Sequence, residues 1–97
     1  MDDYPTEEQL KEIREWNCIT YEDSVALAEY ICHIWHFDNW ATLTGKRVKT
    51  LRLATAGWSG NEDIVSAIHH NFLFMRHWEK SQRGGLSIYK IRPQRKK

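Results

Sequence analysis

Between Thr50 and Ile68 the apolar residues change their spacing once, and the change falls across a glycine. Leu51 and Leu53 alternate with Thr50 and Arg52, the period-2 pattern of a strand with one buried face. Gly57 follows; without a Cβ it reaches the positive φ that a tight turn often needs. Ser59 and Glu62 stand at capping-box spacing, where the hydroxyl accepts the N–H three residues on and the carboxylate returns to the Ser59 N–H. Asn61, Glu62 and Asp63 fill the first turn, which the helix dipole favours for acidic groups. Ile64, Val65 and Ile68 then form an apolar stripe at helical spacing. The stretch reads as strand, turn and helix, the helix running from about Gly60 to His70. A chain organised around such a unit buries sheet and helix in one core. Trp58, in the turn, either pins the helix entry against the sheet or stands out as a contact residue.

The flanking segments predict the rest. Thr6 and Gln9 have capping-box spacing, and behind them Leu10, Ile13 and Trp16 give a short helix a narrow apolar seam. Thr20-Tyr21-Glu22-Asp23 caps a second helix running to about Phe37. Val25, Leu27, Tyr30, Ile31, Ile34, Trp35 and Phe37 cover most of its circumference, which makes it central to a core or half of an interface. Residues 38–49 fit either a helical turn ending at Gly45 or a strand that hairpins into Arg47–Leu53. Phe72 to Lys80 alternates and reads as a strand. Gly84-Gly85 closes a hairpin with Leu86–Ile91, which Pro93 ends. The expected architecture is α+β: two N-terminal helices, then β-α-β-β with a small antiparallel sheet ending in a hairpin. Ninety-seven residues suit a single domain, with residues 1–5 and 93–97 as flexible ends.

The net charge of +1 conceals a division. Residues 1–45 hold ten acidic residues against Lys11 and Arg14, a net of −8, and residues 46–97 hold twelve basic residues against three acidic ones, a net of +9. Either the halves neutralise each other, or one pole meets a partner: nucleic acid at the basic end, a basic protein site at the acidic end. Arg76, Lys80, Arg83, Lys90 and Arg92 interleave with aromatics in the last third and are candidates for nucleic acid. Glu8, Glu12 and Glu15 on the first helix, Tyr30, Ile34 and Phe37 on the second, and Trp58 are candidates for a protein partner. The second helix is also the candidate surface for a homo-oligomer.

Catalytic and metal motifs fail on inspection. Gly57-Trp58-Ser59-Gly60 has the start of a nucleophile elbow, but Asn61 stands where the second glycine belongs. Thr44-Gly45-Lys46-Arg47 resembles the end of a P-loop, with Trp40 and Arg47 in place of the required glycine and hydroxyl residue. Cys32, His33 and His36 lie close together on the second helix, yet no further ligand pair stands at a metal-site spacing. No enzyme, metal or cofactor is expected. Two cysteines, Cys18 and Cys32, suggest a reducing compartment. Glu29 interrupts the longest apolar run, so no membrane span is expected, and Met1-Asp2-Asp3-Tyr4 lacks the features of a signal peptide.

Residues 52–91 resemble a group of small bacteriophage and prophage accessory proteins. The resemblance lies in Leu53, Thr55, Gly57-Trp58-Ser59, Asn61-Glu62, Ile64, Arg83-Gly84-Gly85 and the strand to Ile91, with departures at Ala56 and Met75-Arg76. It implies a phage product in the bacterial host cytoplasm that binds and inhibits or modulates a host protein or nucleoprotein complex, for instance a defence system such as CRISPR-Cas. It brings no catalytic residue. The alternative is a small nucleic-acid-binding regulator that uses the basic C-terminal hairpin.

Overall fold

The structure is a computed structural model that describes residues 5–35, 40–55, 59–82 and 85–93. Phe37, Gly57, Trp58, Arg83 and Gly84, together with the terminal residues 1–4 and 94–97, lie outside the described residues. The chain forms α1 (Glu7–Glu15), α2 (Tyr21–Ile34), β1 (Ala41–Thr44), β2 (Lys49–Ala54), α3 (Ser59–His69), α4 (Phe72–Met75), β3 (Trp78–Gln82) and β4 (Leu86–Ile91). The strands make one antiparallel sheet in the order β1-β2-β4-β3, so the fold is α+β.

Both N-terminal caps form. The Thr6 hydroxyl accepts from the Gln9 N–H at 3.1 Å and Gln9 Oε1 from the Thr6 N–H at 2.9 Å. Thr20 and Asp23 make the same exchange at 3.1 and 3.3 Å. Each box satisfies donors that a helix start leaves open. The second helix ends three residues before the sequence expectation, because Trp35 turns to extended backbone and its indole donates to Ala54 O at 3.1 Å. That bond ties the helix exit to β2. Of residues 38–49, those described, from Trp40 on, take the hairpin alternative: β1 pairs with β2, and Gly45 adopts φ +102° in the turn between them.

The main correction concerns residues 72–77. The alternating strand expected from Phe72 is instead one turn of helix, and β3 begins only at Trp78. Phe74 and His77 are buried while Phe72 is 84% exposed, a three-residue spacing and not a two-residue one. The cause is Asn71. Its Oδ1 accepts the Phe74 N–H at 3.1 Å, and its Nδ2 donates to Ile13 O at 2.8 Å and Trp16 O at 3.1 Å. One buried amide thus starts α4 and fastens it to the end of α1.

The core lies between the sheet and the helices. Leu51, Leu53, Tyr89 and Ile91 face inward from the central strands and meet Ile13, Leu27, Ile31, Ile64, Ile68 and Phe74. Period-2 alternation then leaves the other sheet face, with Arg52 and its neighbours, directed away from the helices.

Candidate functional site

Strand register assembles that outer face. Thr42, Arg52, Ile88 and Lys80 lie in one row across all four strands, and Thr44, Thr50 and Lys90 form the next row. A bulge between Trp78 and Lys80 brings Glu79 to the same region, and Arg92 follows Lys90 two residues on. Thr50, Arg52, Glu79, Lys80, Ile88 and Lys90 line a shallow cleft of about 380 Å³. Ile88 is only 8% exposed although it points, among the described residues, to the sheet face away from the helices. Arg52, Lys80 and Lys90 line the same cleft as Ile88, and side chains of this length can lay their stems over an apolar neighbour while their charged ends stay in water.

Among the described residues four cations, Arg52, Lys80, Lys90 and Arg92, therefore share the face with one carboxylate, a net of +3. Glu79 and Arg92 approach to 3.9 Å, a loose pair between exposed groups. Sheets gain from opposite charges on facing strands and lose from like ones. A polyanion laid across the face relieves that repulsion. The groups on offer are a guanidinium fork, ammonium donors and the hydroxyls of Thr42, Thr44 and Thr50, a set suited to phosphate oxygens.

The charge division along the sequence becomes a division between layers. Helices α1, α2 and α3 carry nine carboxylates against Lys11 and Arg14, a net of −7. The strands, the β1–β2 turn and Arg92 carry seven cations against Glu79, a net of +6. Among the described residues the ion pairs stay within a layer: Glu7–Arg14 at 3.4 Å on α1, and Glu79–Arg92 in the sheet. Among the described residues no ion pair crosses from the helix layer to the sheet.

The residues singled out from sequence are distributed unevenly. Lys80, Lys90 and Arg92 meet on the open face. Arg76 does not join them: its guanidinium donates to Cys18 O and Leu73 O, both at 2.7 Å, and to Ile19 O at 3.4 Å, pinning the α1–α2 loop to α4. Glu8, Glu12 and Glu15 are exposed along one side of α1. Glu12 also accepts from the Tyr30 hydroxyl at 2.9 Å, and the Tyr30 ring lies 5.3 Å from Trp16, so Tyr30 faces α1. Burial and the Glu12 contact push the Tyr30 phenol up to about 12. Ile34 is half-buried near the end of α2; Phe37, Trp58 and Arg83 lie outside the described residues. Arg52 and Thr50 were missed. Their alternation with Leu51 and Leu53 marked them as outward-facing, but nothing local showed that β2 lies beside β4.

Other titratable groups have structural surroundings. His77 is buried, with Nε2 3.1 Å from Ser24 Oγ and its ring against Phe74. Burial, reinforced by the charge of Arg76, pushes its imidazole down to about 4. Burial raises the thiols of Cys18 and Cys32. No helix among the described residues is long and apolar enough to cross a membrane. Compared with family models, curated proteins and solved structures, the chain matches none.

Proposed function

We propose that the protein acts by binding and that its contact surface is the basic open face of the sheet, set against the phosphate backbone of nucleic acid, free or within a nucleoprotein complex. The observation that carries this reading is the convergence of Arg52, Lys80 and Lys90 from three strands, with Arg92 just past β4 beside Glu79, onto one solvent-facing surface that holds a single carboxylate among the described residues. Such a surface contacts phosphates without reading base edges, so binding is expected to be strong in low salt and nearly independent of sequence. The resemblance to phage accessory proteins extends the reading to a host nucleoprotein complex, a defence assembly among them, met in the bacterial cytoplasm.

A second reading has its own observation. Glu8, Glu12 and Glu15 share one exposed side of α1, which suits a basic site on a host protein.

Titration of a random-sequence DNA duplex against salt separates them. Replacing Arg52, Lys80 and Lys90 together by glutamine is expected to lower affinity more than tenfold and to flatten the salt slope by about 2 to 3, close to 0.9 for each phosphate released. Replacing Glu8, Glu12 and Glu15 by glutamine is expected to leave affinity unchanged or raised. Unchanged duplex binding in the first variant, with its fold retained, overturns the leading reading.

A further inference from the structure

We propose that two copies of the chain join along β1, in antiparallel register, into one eight-stranded sheet with a continuous basic face supplied by both copies. What that face binds rests on the function proposed above; the joining does not.

The two edges of the sheet differ in kind. On β3 all five residues are exposed, a bulge interrupts the register, and Glu79 and Lys80 are charged. Bulges and charges are the devices by which sheets discourage further pairing. On β1, Ala41-Thr42-Leu43-Thr44 carries no charge, and its pairing with β2 runs without interruption. Among the described residues no strand pairs with its outer edge, which leaves a row of backbone donors and acceptors for another strand.

Four residues of backbone pairing are too few to hold two copies alone, so side chains beside the edge must contribute. Helix α2 places them there. Ser24, Leu27, Ala28 and Ile31 face the core. The flank with Asp23 and Tyr30 turns to α1, since Trp16 Nε1 donates to Asp23 O at 3.1 Å and the Trp16 ring meets Tyr30. Helical periodicity puts Tyr21, Val25 and Cys32 on the opposite flank. The Tyr21 hydroxyl donates to Arg47 O in the β1–β2 turn at 2.5 Å, which fixes that flank on the β1 side of the helix layer. Val25, Cys32 and Leu43 are half-buried, and Trp40, just before β1, is 48% exposed. An apolar seam therefore borders the uncharged edge.

Symmetry selects the second copy as occupant. An antiparallel pair related by a two-fold axis perpendicular to the sheet keeps both helix layers on one side and both basic faces on the other. Parallel pairing of identical edges would flip one copy and mix the layers. Opposite residues in an antiparallel pair share a face, so Thr42 and Thr44 meet the outward residues of the second copy's β1, and Leu43 falls on the helix side with the seam. The row Lys80–Ile88–Arg52–Thr42 then continues in reverse through the second copy. The two Arg52 side chains stand three strand spacings apart, about 14 Å. That exceeds the Debye length of roughly 8 Å at physiological salt, and only threonines lie between them, so the two basic halves tolerate each other.

Sedimentation velocity over a concentration series, without nucleic acid, tests this. The wild-type chain is expected to move from monomer to dimer as concentration rises. Thr42→Lys with Thr44→Lys sets like charges opposite each other across the axis, and Thr42→Glu with Thr44→Glu does the same with the other sign. Each double variant alone is expected to stay monomeric, and an equal mixture is expected to form a dimer of one chain of each. Circular dichroism confirms that each variant is folded, which the exposure of both threonines favours. A wild-type chain that is monomeric at every concentration overturns the proposal. So do double variants that dimerise like the wild type, and so does a mixture that stays monomeric. A dimer that ignores duplex DNA leaves the interface standing and removes the reading of the face; duplex binding by a strictly monomeric chain does the reverse.

Discussion

Replacing Asn71 by alanine removes three hydrogen bonds to backbone groups and a long one from Nδ2 to Cys18 Sγ at 3.8 Å, all made by one side chain that is 4% exposed. Loss of the cap on α4 costs about 1 kcal/mol. Ile13 O and Trp16 O each lose a donor near the end of α1, at about 1 kcal/mol for each bond. The total is about 3 kcal/mol, a large share of the roughly 5–15 kcal/mol that holds a domain folded. For a domain of this size that corresponds to a fall in Tm of roughly 12 to 24 °C. Two further variants separate the parts. Asn71→Ser keeps a cap acceptor and is expected to recover about 1 kcal/mol. Asn71→Asp keeps the acceptor but turns a carboxylate toward two carbonyls, and is expected to be at least as harmful as alanine. Urea unfolding followed by tryptophan fluorescence measures all three. A loss below about 1 kcal/mol in Asn71→Ala, or an Asn71→Asp chain as stable as the wild type, would refute the idea that this amide fastens α4 to α1.

His77 and Arg76 supply two more tests. Because the His77 imidazole is held down to about 4, against 6.5 unfolded, the unfolded chain takes up this proton first as pH falls. Stability is therefore full above pH 6.5 and declines between pH 6.5 and 4, by up to about 3 kcal/mol; His77→Gln is expected to flatten that part of a pH-resolved unfolding curve, and an unchanged curve would exclude His77 as its source. Arg76→Gln is expected to cost about 1–2 kcal/mol through the carbonyl bonds it loses, with affinity for duplex DNA within twofold of wild type in an anisotropy titration; a large loss of affinity in the folded variant would return Arg76 to the binding surface.

What could be read from sequence was what local residues decide. Thr6 with Gln9 and Thr20 with Asp23 mark helix starts because both partners of each box lie within one turn. Leu51, Arg52 and Leu53 give the orientation of β2 because a strand alternates. Phe72 to Met75 misled because four large apolar residues fit a strand and a helical turn equally. Asn71 decides between them, and two of its hydrogen-bond partners, Ile13 and Trp16, lie more than fifty residues away in the chain. The open face was half legible for a similar reason. Lys80 and Lys90 sit in one hairpin, whereas Arg52 reaches them only because β4 inserts between β2 and β3.

The layered separation of charge also bears on how the molecule meets a partner before the two touch. With a net of −7 on the helices and +6 on the sheet and its turn, the protein is a dipole directed through its thickness. In the field of a polyanion it experiences a torque that turns the helix layer away and the sheet forward. Encounters then arrive already oriented, and fewer are wasted on the wrong side. Orientation of this kind raises the association rate constant while leaving the lifetime of the complex to the close contacts. Neutralising α1 shrinks that dipole but raises the net positive charge of the chain in the same step, so the lost orientation is offset by stronger attraction to a polyanion and the affinity does not fall.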